Sequence, residues 1–469
     1  MAFTTIQFWA AFIAFLFFFA LLRKAKRELL ILYVIAASLG FFYLCNRWLM
    51  LLLPATAIVS WALTRWMSHQ EGTKRKSLLF LIVILDLLPL LFFKYGHPFS
   101  KILSQMLATN FSLQSIALPI GISFYTFQAI SYTVDIYRRD FCLKINFLEY
   151  LLYLSFFPLL LAGPITRAKT FFPQIRRENV LSERLLYMGL WLVILGVVKK
   201  GIVADYIAQY NDWIFAMPDA YSGFECLMGL IGFSMQIYLD FSGYSDISIG
   251  IAAMLGIRLC ENFSYPYRSR NLTEFWHRWH ISLSTWFRDY LYIPLGGNRR
   301  GKLRTYCNLF LTMMAAGIWH GSTVMFLFWG ALHGIGLVAH KLLQPFLRDI
   351  RDNWLTISFS RIITLCFIVF SWAFFRSPDL NTAQLLLSSI FTRMDLSYAE
   401  PFFAARATWC LMLACSFLSL FIGERLYHHA EAKFIHWPWL MKLITLLLVV
   451  QIVIELHISD IQPFLYFRF

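Results

Sequence analysis

The sequence predicts an all-α integral membrane protein of roughly ten to twelve membrane-crossing helices, with shorter re-entrant or interfacial helices among them. Three observations predict it. The chain is 59% apolar and only 14% charged, where soluble domains carry about 25% charge. Apolar stretches of near-spanning length recur from end to end, about 20 residues being enough to cross a bilayer. Basic residues gather in the short segments between them, as in polytopic proteins.

Taken in order, Ile6–Leu22, 29–46 and 48–64 carry no charged residue. Comparable stretches follow at 77–93, 115–134, 146–163, 185–198, 223–239, 308–335, 360–375, 405–423 and 439–455. The first is read as a genuine helix, since it has neither the basic leader nor the small-residue cleavage site of a signal peptide. No soluble domain, repeat, linker or low-complexity tract interrupts the series. The chain therefore reads as one polytopic domain, 1–469, in three parts: scaffold helices over 1–117, a functional core over 118–340, and further helices over 341–469. The core is set apart by polar residues mixed with Gly and Pro in otherwise membrane-like sequence. Irregular backbone at membrane depth is tolerated only where protein or a wet cavity satisfies the freed polar groups.

The net charge of +15 raises a nucleic-acid reading, and the placement of the charge rejects it. Arg23-Lys24-Ala25-Lys26-Arg27, Lys74-Arg75-Lys76 and Arg138-Arg139 sit between apolar stretches, where cytoplasmic loops attract anionic headgroups. With the first two clusters inside, the amino terminus lies outside. The alternation becomes ambiguous near 167–177, which suggests a re-entrant or interfacial element there. Eight scattered cysteines without a CxxC pair read as small buried hydrophobes rather than a disulfide or metal framework.

Two polar–aromatic blocks stand out in the core, Phe275-Trp276-His277-Arg278-Trp279-His280-Ile281-Ser282-Leu283-Ser284 and Gly317-Ile318-Trp319-His320-Gly321. Ionisable side chains in lipid are expensive, so such histidines should face a protein-lined cavity and serve a purpose. On a continuous helix Trp276, His280 and Leu283 share a face. His320 falls in the charge-free stretch 305–340, between Gly317 and Gly321, which leave room for a substrate. His277, His280 and His320 could hold zinc in principle, but no Glu or Cys completes a familiar set. His333, His340 and the His428-His429 pair read as structural or interfacial.

Other motifs keep two readings. Ser123, Thr126 and Gln128, after Pro119 and Gly121, line a tunnel or make interhelical hydrogen bonds. Arg167, after Gly163-Pro164, contacts an anionic donor or snorkels to a headgroup. Asp240 and Asp246, in the run 236–246 that opens with Gln236, pair with an arginine or orient a histidine, because lone buried carboxylates are costly. Arg288 and its neighbours suit an amphipathic interfacial helix and could receive phosphates.

Together these blocks closely resemble the membrane-bound O-acyltransferase family. Within it they are most similar to the bacterial branch that holds the membrane subunit of alginate O-acetyltransferase and relatives acetylating peptidoglycan or cellulose. The resemblance covers roughly 118–340 and rests on 119–128, Gly163-Pro164, 236–246, 275–297 and Trp319-His320-Gly321. The Ile293-Pro294-Leu295-Gly296-Gly297-Asn298 ending separates it from the D-alanyl transferases of teichoic acids. His277 departs from the family pattern, and no function is carried onto it. The resemblance implies a funnel of helices with a two-histidine centre near the membrane midplane. His320 and His280 match the catalytic positions, His320 as general base and His280 orienting or polarising the acyl group. Around them, Trp319, Trp276, Asp246, Gln236, Asn271 and Ser284 are expected to support the pair or line a tunnel. It implies no bound cofactor, a donor that is acetyl-CoA or an acyl carrier, and a polysaccharide acceptor. It also implies a periplasmic SGNH-hydrolase-like partner and a bacterial inner-membrane location. The competing class is a transporter or proton relay, since broken spans and intramembrane histidines suit that as well.

Overall fold

The computed structural model describes residues 6–23, 26–107, 117–160, 163–177, 182–347 and 352–456. Parts of several expected features, Lys24 and Ala25 among the basic clusters, 115–116 and 161–162, lie outside them. Among the described residues the secondary structure is helical, with no strand.

The chain forms two compact units, 1–189 with 251–260, and 190–250 with 261–469. In the first, α1 (Ile6–Leu22), α2 (Arg27–Asn46), α3 (Leu52–Ser68), α4 (Gly72–Met106) and α5 (Ile122–Arg138) precede three short helices. These are α6 (Phe147–Ser155), α7 (Phe157–Leu160) and α8 (Ala168–Arg176). The boundary then runs inside α9 (Glu183–Val197). The second unit holds α10 (Asp205–Ala216), most of α11 (Gly223–Met254), the short α12 (Leu272–Arg278) and α13 (Ile281–Phe287), and the hairpin of α14 (Lys302–His320) and α15 (Val324–Leu347). It ends with α16 (Trp354–Arg376), α17 (Leu380–Thr392), α18 (Ala399–Ala405), α19 (Ala407–Ser419), α20 (Glu424–His436) and α21 (Trp439–Leu456).

Seven described stretches are long and apolar enough to cross a membrane, and an eighth if α19 and the segment from Leu396 to Ala405, bent by 96°, count as one. This is fewer than the ten to twelve expected, and the shortfall has local causes. The expected stretch 146–163 breaks at Phe156, whose ψ of 103° ends α6 just ahead of Pro158. The described part of the stretch 115–134, from 117 on, turns helical only after Gly121, at φ 87°. The two spans expected over 29–64 are α2 and α3, joined through a 3₁₀ turn in which Arg47 takes φ 54°. The element expected at 167–177 is α8, nine residues long and too short to span. It buries Phe171 and Phe172 and exposes Lys169 and Thr170.

Charge organises the first unit. Asn146 and Glu149 cap each other at the start of α6. The Glu149 carboxylate, 2% exposed, also receives Arg27 of α2 at 2.6 Å and Arg176 of α8 at 2.6 and 2.9 Å. Three helices are thereby tied to one buried acid. Gln174 of α8 exchanges two hydrogen bonds with the backbone of Arg258, at 2.8 and 2.9 Å, which holds 251–260 in this unit. The motif around Gly121 packs tightly: a Cβ there would meet the Leu160 carbonyl at 2.6 Å. Thr126 and Gln128 are buried, and Thr126 Oγ1 and Gln128 Nε2 have no hydrogen-bond partner among the described residues, so the interhelical hydrogen bonds expected of them are not made by those atoms.

In the second unit α9 and α11 approach as closely as two helices can. A Cβ on Gly196 would lie 2.5 Å from the Gly243 carbonyl, and one on Gly243 2.8 Å from that of Gly196. Just beyond, the backbone of 198–204 widens into π-helical turns. These present Lys199 to Asp246 at 2.6 Å and Lys200 to Asp205 at 2.7 Å and to Asp240. The two carboxylates of the 236–246 motif thus pair with lysines, not with the arginine or histidine expected. Two lysines ending an apolar run ordinarily mark an interface, which conceals their inward role.

Candidate active site

The block around His280 is not one helix. Asn271 opens α12 by accepting the Glu274 N–H at 2.9 Å. The helix stops at Arg278, Trp279 is extended, and His280 sits in the left-handed region at φ 43°, ψ 55° before α13 begins. Trp276, His280 and Leu283 therefore do not share a helical face. The backbone bonds lost at the break go to the 262–264 segment, with Ser264 N–H on the Arg278 carbonyl at 3.0 Å and Ile281 N–H on the Asn262 carbonyl at 2.9 Å.

A left-handed non-glycine residue stores of order 1–3 kcal/mol and persists only where its surroundings over-determine it. Asn262 supplies much of that constraint. Its Oδ1 meets His280 Nδ1 at 3.1 Å and accepts from Ser282 N at 3.2 Å and Ser282 Oγ at 2.9 Å, while its Nδ2 donates to Ser245 Oγ of α11 at 3.2 Å. The His280 ring is 1% exposed. Phe241 lies edge-on to it at 4.6 Å, and Phe263 and Trp319 follow at 6.4 and 6.2 Å. Its Nε2 has no hydrogen-bond partner among the described residues.

His320 is the last residue of α14 and is also buried. Aromatic rings enclose it: Trp319 and Trp329 at 5.0 Å, Phe375 at 5.3 Å and Phe326 at 6.5 Å. The Trp319 indole touches both imidazoles, His280 at 6.2 Å and His320 at 5.0 Å. Residues 40 positions apart in sequence are so brought to one indole. Gly317 and Gly321 do not leave open space beside His320, contrary to the expectation. A Cβ on Gly321 would strike the Phe326 ring at 2.0 Å, and one on Gly317 the Phe326 carbonyl at 2.3 Å. The two glycines admit Phe326 and the close α14–α15 hairpin.

The remaining candidates divide by what they touch. Trp276 packs on Trp329 at 5.7 Å and on His333 at 5.1 Å, so it belongs to the same aromatic cluster. His333, fully buried, joins that cluster and bonds Ser371 at 3.0 Å. Asn271 lines a polar cleft of about 1060 Å³ with Thr273, Glu274, His277, Arg278 and His340. Gln236 accepts from Asn211 at 2.8 Å, and Ser284 donates to the Trp279 carbonyl at 3.1 Å. Arg288 is exposed and bonded to Asp289 at 2.8 Å. Arg167 is half-buried at the start of α8, in the first unit. The Gly296-Gly297 turn, at φ 112° and 53°, is anchored when Asn308 of α14 donates to the Gly297 carbonyl at 2.9 Å. Sequence reasoning missed Asn262, Ser245, Lys199 and Lys200. Among the described residues no group of three or more His, Cys, Asp or Glu side chains could hold a metal ion.

Two buried imidazoles around a tryptophan, in a bundle of membrane-crossing helices, suit acid–base chemistry on a substrate reaching the bilayer interior. Comparison with known proteins defines the class. Residues 31–377 match the membrane-bound O-acyltransferase family. The chain belongs to that family, and it is a multi-pass membrane protein of the O-acyltransferase class. It is 34% identical to a protein described as a probable alginate O-acetylase from Pseudomonas putida, over 91% of this chain and 89% of the relative. A protein of the same description from Pseudomonas syringae is 38% identical over 76% of this chain and 66% of its own length, just under two thirds of that relative. A peptidoglycan O-acetyltransferase from Helicobacter pylori is 34% identical over 81% and 77%.

Proposed function

We propose that this chain is the membrane subunit of a cell-envelope O-acetylation system in the bacterial inner membrane. It takes acetyl from a cytoplasmic thioester, acetyl-CoA or an acetylated carrier, and delivers it across the membrane for esterification of a polysaccharide. Delivery is direct or through a periplasmic SGNH-hydrolase-like partner. The amino terminus faces the periplasm, because the basic clusters beside α2 and at the start of α4 stay on the cytoplasmic side. The observation that carries the reading is the meeting of His280 and His320 at Trp319.

The chemistry requires little else. The attacking hydroxyl oxygen bonds the acetyl carbon, the carbon–sulfur bond breaks, and the hydroxyl proton ends on sulfur. One imidazole must take that proton and the other must face the acyl group. A neutral imidazole titrates near 6.5 in water, which suits the exchange. The family resemblance gives the base to His320. His320→Ala should lower acetylation by about 10²–10⁴-fold, the usual span of a general base, while the protein remains inserted. Near-normal polysaccharide acetylation in cells carrying that variant would refute the reading. A transporter or proton relay predicts instead that the purified protein leaves thioesters intact.

A further inference from the structure

We infer that Phe326 sets the acyl length this chain accepts: its ring fills a recess beside His320 that would otherwise hold the tail of a longer acyl group. The inference rests on the acyl-transfer reading and deepens it, because it names what restricts the donor to acetyl.

The recess is built by the backbone. α14 ends at His320, residues Gly321, Ser322 and Thr323 turn the chain, and α15 returns from Val324. Glycines on both helices let them close up. A Cβ on Gly317 would stand 2.3 Å from the Phe326 carbonyl, and one on Gly330 2.6 Å from the Met313 carbonyl. Each would also meet the other glycine's Cα, at 3.2 and 3.3 Å. Gly321 completes the recess on the His320 side. A Cβ there would lie 2.0 and 2.1 Å from two carbons of the Phe326 ring. The space that a side chain at 321 would need is therefore taken by that ring.

Phe326 also closes the enclosure of His320. Its ring lies 24° from the imidazole plane at 6.5 Å between centroids, and edge-on to Phe375 at 5.2 Å. The other walls belong to a continuous aromatic cluster. Trp329 packs on His333 at 4.8 Å and on Trp372 at 6.2 Å, and Phe375 packs on Trp372 at 5.3 Å. A ring removed from that cluster has bulky neighbours to move into the gap. A ring removed at 326 borders Gly317 and Gly321, which have no side chain to offer. A void whose lining cannot collapse persists, and an apolar one stays dry and takes up apolar guests.

The chemistry brings the acyl tail to this wall. The base must reach the attacking hydroxyl at about 2.6–3.2 Å, and the hydroxyl oxygen bonds the acyl carbon. With His320 as base, the group carried on that carbon ends against the rings that surround His320. The methyl of acetyl ends there without further room. Each added methylene needs space that Phe326 occupies, and one methylene against a closed apolar wall discriminates about 10–200-fold. The bonds made and broken are the same for every tail: carbon–oxygen forms, carbon–sulfur breaks, and the hydroxyl proton ends on sulfur.

The test uses the full chain in lipid nanodiscs, following thiol release from acetyl-, propionyl- and butyryl-CoA and from a carrier protein loaded with each. The unaltered chain should favour acetyl over butyryl by about 10-fold or more in kcat/KM. Phe326→Ala should shift that ratio toward butyryl by about 10–100-fold while acetyl is still transferred. Phe326→Leu vacates less space and should shift it part of the way, and it carries the test if the alanine variant does not fold. Phe263→Leu removes a ring beside His280 instead, and it should leave the ratio unmoved, which separates a sized recess from a loosened site. Three results overturn the inference and leave acyl transfer standing: equal use of butyryl and acetyl by the unaltered chain, an unmoved ratio in the Phe326 variants, or the same shift in Phe263→Leu. No thiol release by the unaltered chain from any donor overturns both.

Discussion

Helices α11 and α21 are both long enough to cross a bilayer, yet the one richer in polar residues is the more buried. In the most apolar stretch of α11, 72% of residues are buried, and in that of α21, 11%. The inner helix carries Gln236, Asp240, Ser242, Ser245 and Ser248, all buried. The outer one is almost wholly apolar, and its leucines face outward. In water the hydrophobic residues go inside. In lipid they have no reason to, and it is the polar ones that must find protein partners. The distinction predicts where a substitution will hurt.

The largest effect should follow from breaking the charge cluster that α11 makes with the π-helical turns. Lys200, 1% exposed, sits against Asp205 and Asp240. Lys200→Met removes the cation and leaves two buried carboxylates facing each other. Removing one partner of a buried pair typically costs about 3–5 kcal/mol. Denaturant unfolding in mild detergent should show a loss of that size, and a loss under about 1 kcal/mol would mean that the cluster does not bear on stability. Replacing Lys200, Asp205 and Asp240 together by apolar residues should recover part of the loss.

A smaller effect, and one that depends on pH, is expected at Glu149 in the first unit. Burial alone would raise this carboxyl. Arg176, the Asn146 backbone and Arg27 outweigh burial and hold it below the ordinary carboxylate value. A group whose pKa is lowered on folding adds stability above its unfolded pKa, near 4.3, and loses it as pH falls through the folded value. Glu149→Gln should therefore be less stable at pH 7 by about 1–2 kcal/mol, discounted because Arg27 and Arg176 are partly exposed. The gap to the unaltered protein should narrow steadily as pH falls below about 4.3. Parallel curves for the two proteins between pH 7 and pH 3 would show that the carboxylate charge is not what ties α2, α6 and α8.

How much of this was legible beforehand follows from the same contrast. The fold class could be read because apolar length and charge placement are local properties. That His280 and His320 would be buried against protein could be read because a histidine in apolar sequence is costly in lipid wherever it ends up. What could not be read depends on tertiary approach. Asn262 lies 18 residues before His280, outside any helical or strand period, and its role exists only because the backbone breaks at Trp279 and His280. Lys199 and Lys200 close an apolar run, as interfacial lysines do, and only the π-helical widening turns them inward. Gly317 and Gly321 were expected to leave room for a substrate, but a glycine does not say whether a substrate or Phe326 will fill the space.

The smallest effect is expected on α21, and it separates two faces of one helix. Val449 is buried at 9% exposure, while Leu447, at 57%, faces outward. On the buried side this helix meets the π-helical turns, where a Cβ on Gly201 would come within 3.1 Å of Val453. Val449→Ala leaves a small void against protein and should cost about 1 kcal/mol, whereas Leu447→Ala leaves one that lipid fills and should stay within about 0.5 kcal/mol. If the two substitutions cost the same, packing against lipid would be worth as much as packing against protein. Hydrophobicity would then predict burial after all, and the contrast between α11 and α21 would reduce to composition.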